Sequence, residues 1–128
     1  MGRAHGQRME GAALKLREQR CLFTRLTAQL ITWANEHGYE VSYEETMRSK
    51  AQAQANATSG AGIVNSLHTI GLAVDLNLYI DGDWKKTSEA HAPLGAYWKS
   101  LHPLCRWGGD FRPRIDGNHY SMEWEGRK

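Results

Sequence analysis

Ser66-Leu67-His68-Thr69-Ile70-Gly71-Leu72-Ala73-Val74-Asp75-Leu76-Asn77-Leu78-Tyr79 is the stretch from which the fold can be read. From Leu72 the even positions are Leu, Val, Leu, Leu and Ile, and the odd ones from 73 are Ala, Asp, Asn and Tyr. This period of two is that of a strand with one face in the core. Asp75 then projects from the other face beside Ala73, whose small side chain leaves room above the sheet. His68 precedes the alternation, in a segment that Gly71 bends at little steric cost, so its imidazole can return toward the carboxylate. The pair reads as half of a metal site.

The other half comes near the end of the chain. In Asp116-Gly117-Asn118-His119-Tyr120-Ser121-Met122-Glu123-Trp124, apolar Tyr120, Met122 and Trp124 alternate with His119, Ser121 and Glu123, which predicts a second half-buried strand. His119 opens its polar face and Asp116 stands on the turn leading in. Two histidines and a carboxylate are a common zinc set. Three protein ligands leave a fourth position for water, and a further carboxylate beside it is the expected general base.

The pattern Ser66-x-His68-x-x-Gly71-x-Ala73-x-Asp75 with Asp116-x-x-His119 resembles the zinc peptidases that include D-alanyl-D-alanine carboxypeptidases of the VanY and VanX types and phage L-alanyl-D-glutamate endopeptidases. Arg48-Ser49 with Gln52 is similar to that family's Arg-Ser-x-x-x-Gln segment, and Trp107-Gly108-Gly109-Asp110 to its Trp-Gly-Gly-Asp stretch, so the resemblance runs from about Tyr39 to Trp124. It implies an α+β fold: a small antiparallel sheet with helices packed on one side and the zinc site on the open face. It implies Zn2+ held by His68, Asp75 and His119, with Asp116 as the catalytic carboxylate. Many relatives carry Glu at that last place. Asp there matches the phage endopeptidases and shortens the reach to the bound water by one methylene.

A chain of 128 residues is expected to form one domain, residues 1–128, with any substrate targeting built into it. Its 16 basic and 14 acidic residues are interspersed, giving a formal charge of +2, which argues against a dedicated nucleic-acid surface. Cys21 and Cys105 are too few and too distant for a disulfide framework and read as buried free thiols. The first residues lack the apolar core of a signal peptide, and no apolar run is long enough to span a membrane. The expectation is folding, as a monomer, in the cytoplasm of the producing cell, with action on the cell wall after release, as in phage lysis.

The remaining segments frame the site. Leu22, Phe23, Leu26, Leu30, Ile31 and Trp33 predict one or two amphipathic helices between Glu10 and His37, with His37 as a helix-end residue and Gly38 as the cap. Tyr39–Tyr43 reads as a strand. Ser49 is expected to cap a short helix through Ala57 that sets Gln52 one turn from Arg48, and Thr58–Gly62 to form a loop bordering the cleft. Asp81-Gly82 predicts a hairpin continuing at Trp84, and Pro93 a helix to about Leu101 stopped by Pro103. His91 and His102 bracket that helix and read as solvated terminal residues. Cys105–Trp107 is a short strand, Gly108-Gly109 a tight turn, and Glu125–Lys128 a loose, solvated tail.

The chemistry this predicts is metal-assisted hydrolysis of a peptidoglycan stem peptide. Asp116 acts as general base, Arg48 stabilises the oxyanion, and Ser66 and Gln52 are candidate substrate contacts. Asp110 ranks below Asp116 as a base, because Gly-Gly-Asp turns are common structural features, and Glu123 is too far along its strand to ligate. The L-alanyl-D-glutamate bond is favoured over a terminal D-alanine. Two other classes share the ligand set: iron oxygenases, whose first His and carboxylate are usually closer in sequence, and non-catalytic Hedgehog-like zinc modules, which the carboxylate at position 116 disfavours.

Overall fold

Phe23, Leu26, Leu30 and Ala34 recur at helical spacing and are all buried along one helix, α1 (Leu16–Glu36). The computed structural model describes residues 14–47, 49 and 66–128, and among the described residues of this stretch it has one helix. Glu18 reaches back to accept from the Lys15 N–H at 2.9 Å, satisfying a first-turn donor. At the other end the His37 ring stacks on Trp33, with centroids 4.2 Å apart, and its Nδ1 lies 2.7 Å from the Trp33 carbonyl. His37 is the helix-end residue its position implied.

The alternating stretch forms β2 (Ala73–Ile80), with Val74, Leu76 and Leu78 buried and Asp75, Asn77 and Tyr79 half-buried on the opposite face. β1 (Glu40–Glu45) pairs with it antiparallel, Ser42 opposite Asn77. A bulge between Tyr43 and Glu45 then shifts the register and sets Glu45 opposite Asp75. The other edge of β2 is shared. β5 (His119–Met122) pairs with Ala73–Asp75, and β3 (Asp83–Lys85) with Leu78–Ile80 across a turn in which Asp81 and Gly82 have φ of 53° and 81°. Between them, at Leu76 and Asn77, the edge is open apart from a bond from Leu76 N–H to the Asn118 carbonyl at 2.9 Å. β4 (Cys105–Trp107) completes the sheet along β5.

Helix α2 (Ala92–Leu101) starts with Pro93 in its first turn, as its sequence predicted, and buries Leu94 and Trp98. Trp98 Nε1–H is shared between the carbonyls of Arg106 and Ser121, at 3.0 and 3.1 Å, tying the helix to the last two strands. Its ring meets Phe23 of α1 and Tyr120 of β5 edge-on, at 5.7 and 6.3 Å. Both helices thus share one core with β2 and β5, the α+β arrangement expected. No helix among the described residues is long and apolar enough to cross a membrane.

Several local expectations are corrected. β5 is buried on both faces, because the chain after β4 folds back over it: Gly108 lies against the His119 Cβ, and the Phe111 ring centroid is 5.5 Å from that of His119. Gly108 and Gly109 form a short 3₁₀ turn without a positive φ. A Cβ on Gly108 would stand 1.9 Å from the Asp116 carbonyl oxygen. The residue there is fixed by close approach, not by turn geometry. Trp124 and Arg127 exchange two 2.9 Å backbone hydrogen bonds, so residues 125–128 are anchored instead of trailing. Cys105 is buried, its thiol pushed up to about 12 by that burial, but Cys21 is exposed on α1. The predicted helix from Ser49 through Ala57 and the loop at 58–62 lie outside the described residues, apart from Ser49 itself.

Candidate active site

His68 reaches the open face of the sheet from a 3₁₀ turn, Leu67–Ile70, whose geometry two residues set. Ser66 caps the turn, its Oγ accepting from the His68 N–H at 3.1 Å, and Gly71 ends it in the left-handed region at φ 73°. The chain can then enter β2 with the imidazole turned back toward Asp75. His68 Nδ1 lies 2.7 Å from the Thr46 carbonyl, which can only accept, so Nδ1 carries the proton and Nε2 faces Asp75 Oδ1 at 3.3 Å. A backbone carbonyl orienting the far nitrogen of an imidazole is the usual support of a metal-ligating histidine.

His119 comes from the neighbouring strand. β5 places it directly opposite Asp75, with Nδ1 3.2 Å from the same Oδ1. One atom each from His68, Asp75 and His119 therefore lies within 4.8 Å of the others. A tetrahedral zinc with bonds of about 2.0–2.2 Å holds neighbouring ligand atoms about 3.3–3.5 Å apart. Two of the three edges already have close to that length, and the donor set of two imidazoles and one carboxylate suits the ion, so the residues fit the metal.

The electrostatics follow from this crowding. Burial alone would raise the Asp75 pKa, but hydrogen bonds from His119 and His68, together with their charge, outweigh it and hold the carboxyl at about 2. Burial pulls His68 down, yet its bond to Asp75 and the charge of that carboxylate leave it above the ordinary histidine value. Asp116 is shifted the other way. Its residue surface is open, but the partial burial of its carboxyl and the negative charge of Asp75 raise its pKa, against the opposing pull of His119 and His68. A carboxylate of raised pKa beside a cluster that could hold a metal is suited to accepting and releasing a proton.

The turn carrying Asp116 is held from both sides. Its N–H donates to the Gly108 carbonyl at 2.9 Å, its carbonyl accepts from the His119 N–H at 3.1 Å, and Gly117 N–H donates to Ser88 Oγ at 2.9 Å. Asp110 instead pairs with Lys99 at 2.7 Å, and Glu123 accepts from Arg106 Nε at 3.0 Å, so both have other partners. His91 is buried, contrary to the solvated reading, with Nδ1 2.7 Å from Tyr120 Oη, and burial lowers its pKa to about 4. His102, half-buried, accepts from the Leu104 N–H at 3.1 Å. Arg48 and Gln52 lie outside the described residues. Ser66 is buried and supports His68 directly.

One neighbour escaped the sequence reading. Glu45 Oε1 lies 3.9 Å from His68 Nε2 and flanks Asp75 on the side opposite His119. Strict alternation would have set Glu44 there. The bulge moves Glu45 in and leaves Glu44 to accept from Asn118 Nδ2 at 2.7 Å. No residue type in β1 announces that bulge.

Three likenesses to known proteins bear on this site. A peptidase family model described as D-alanyl-D-alanine carboxypeptidase matches residues 59–122, which is 64 of 128 residues and spans His68, Asp75, Asp116 and His119. The L-alanyl-D-glutamate peptidase of Listeria phage A118 is 33% identical over 102 residues, covering 77% of this chain; the chain spans only 36% of that protein's length. The crystal structure of the Serratia marcescens L-Ala D-Glu endopeptidase ChiX superposes with a TM-score of 0.68 over 79% of this chain and 77% of its own, at 20% identity, a likeness of fold.

Proposed function

Because the chain belongs to the peptidase family described as D-alanyl-D-alanine carboxypeptidase, we propose that it is a zinc-dependent peptidoglycan peptidase that cuts the L-alanyl-D-glutamate bond of stem peptides. The observation that carries this is the convergence of one ligand atom each from His68, Asp75 and His119 within 4.8 Å, with a carboxylate of raised pKa, Asp116, in their field. The choice of bond rests on the phage relative, named for that activity, and on Asp at position 116.

His68, Asp75 and His119 would hold zinc, which would supply a Lewis acid and make a water acidic enough to lose its proton near neutral pH. Asp116 takes that proton as the water attacks the peptide carbonyl, and delivers it to the leaving amine. The Thr46 carbonyl keeps the His68 tautomer fixed throughout. From the family resemblance, Arg48 would support the negative charge on the carbonyl oxygen and Gln52 would contact the peptide, while Ser66, buried at the start of its turn, acts through His68. The protein acts on the cell wall as a monomer.

Digesting purified peptidoglycan with the zinc-loaded protein and identifying the fragments by mass tests the reading. Fragments with a new N-terminal D-glutamate, lost on chelation and restored by zinc, are expected. Free D-alanine as the sole product would make it a carboxypeptidase, and no release with zinc bound would make it a binding module.

A further inference from the structure

The gap on the edge of β2 between β5 and β3 opens into a cavity of about 330 Å³. One wall is the hairpin end, Trp84, Lys85 and Lys86; the other is the turn carrying Asp116 and Asn118. Trp84 is 54% exposed, and the Lys86 ammonium lies 4.8 Å from its ring centroid, a cation held over an aromatic face at the mouth of the notch. Neither lysine has a carboxylate partner among the described residues. Of the two carboxylates on the notch, Glu44 is taken by Asn118 and Asp116 is the proton acceptor.

We infer that this notch is the subsite for the residue following the scissile bond, and that Lys85 and Lys86 select an acidic residue there. The inference rests on Asp116 acting as proposed above. A group that returns its proton to the leaving amine must stand beside that amine. The cavity lined by Asp116 therefore lies on the amine side of the cut. Its volume is at the small end for ligand pockets, about 300–1,000 Å³, the scale of a residue or two and not of a polymer. Two lysines among its lining residues, neither paired with a carboxylate among the described residues, complement a negatively charged residue. D-glutamate, linked onward through its γ-carboxyl and so keeping its α-carboxylate free, is such a residue.

The test compares two synthetic substrates, N-acetyl-L-alanyl-γ-D-glutamyl-L-lysine and its counterpart with the free glutamate carboxylate amidated, using zinc-loaded parent protein and a Lys85→Gln/Lys86→Gln variant. The parent is expected to prefer the acid. The variant should lose about tenfold in kcat/KM on the acid, the scale of one charge-assisted contact, through KM, and change little on the amide. A parent without preference, or a variant keeping the parent's acid-to-amide ratio, overturns the subsite while leaving the peptidase reading intact. If the parent cuts neither peptide, the peptidase reading itself fails and the subsite with it.

Discussion

His119 and Asp75 face each other across adjacent strands, with Nδ1 3.2 Å from Oδ1. The register of β5 against β2 thus brings together two of the three proposed ligands, and His68 is brought in from the preceding turn. His119→Ala and His68→Ala should each lose stoichiometric zinc and some folding stability, because metal-binding free energy is coupled to folding. Elemental analysis beside a thermal melt checks both. A full zinc complement in either variant would remove that residue from the ligand set.

Gly108 tests how Asp116, the proposed proton acceptor, is held. A Cβ there would meet the Asp116 carbonyl oxygen at 1.9 Å, and both partners are backbone. Gly108→Ala should cost about 1–3 kcal/mol through overpacking and lower kcat more than it lowers zinc content. Urea denaturation and metal analysis of the same protein separate the effects. Unchanged stability and unchanged kcat would show that the turn yields freely.

His91 makes a pH prediction. Burial holds it at about 4 in the folded protein, against 6.5 for the ordinary histidine. Between those values the unfolded chain takes up a proton that the folded chain does not. This contribution is therefore complete above pH 6.5 and is lost as pH falls toward 4, amounting to about 3 kcal/mol. His68, raised, works in the opposite sense, so the measure is the difference between the parent and His91→Asn, both in chelator. The variant should show a flatter loss of stability between pH 6.5 and 4. Parallel curves would show that His91 takes no part.

The features legible in the sequence are those that local pattern governs. The alternation from Leu72 to Ile80 gave the face of Asp75, Asp81-Gly82 gave the hairpin, and Pro93 the start of a helix. The clustering of His68, Asp75 and His119 was legible as motif and spacing. What escaped depends on contacts distant in sequence. Glu45 reaches Asp75 through a bulge, His91 is buried by Tyr120 of β5, and Gly108 is constrained by a carbonyl eight residues later. The anchoring of the last residues by Trp124 and Arg127 arises from a backbone pairing that their polar composition does not signal.

The most direct measurement is zinc content and peptidoglycan hydrolysis on one preparation of Asp116→Asn. The variant keeps all three ligands and nearly the same shape but cannot accept the proton. It should hold one zinc per chain and lose hydrolysis by roughly 10²-fold or more. Near-normal turnover with zinc bound would contradict the assignment of Asp116 as the group that moves the proton.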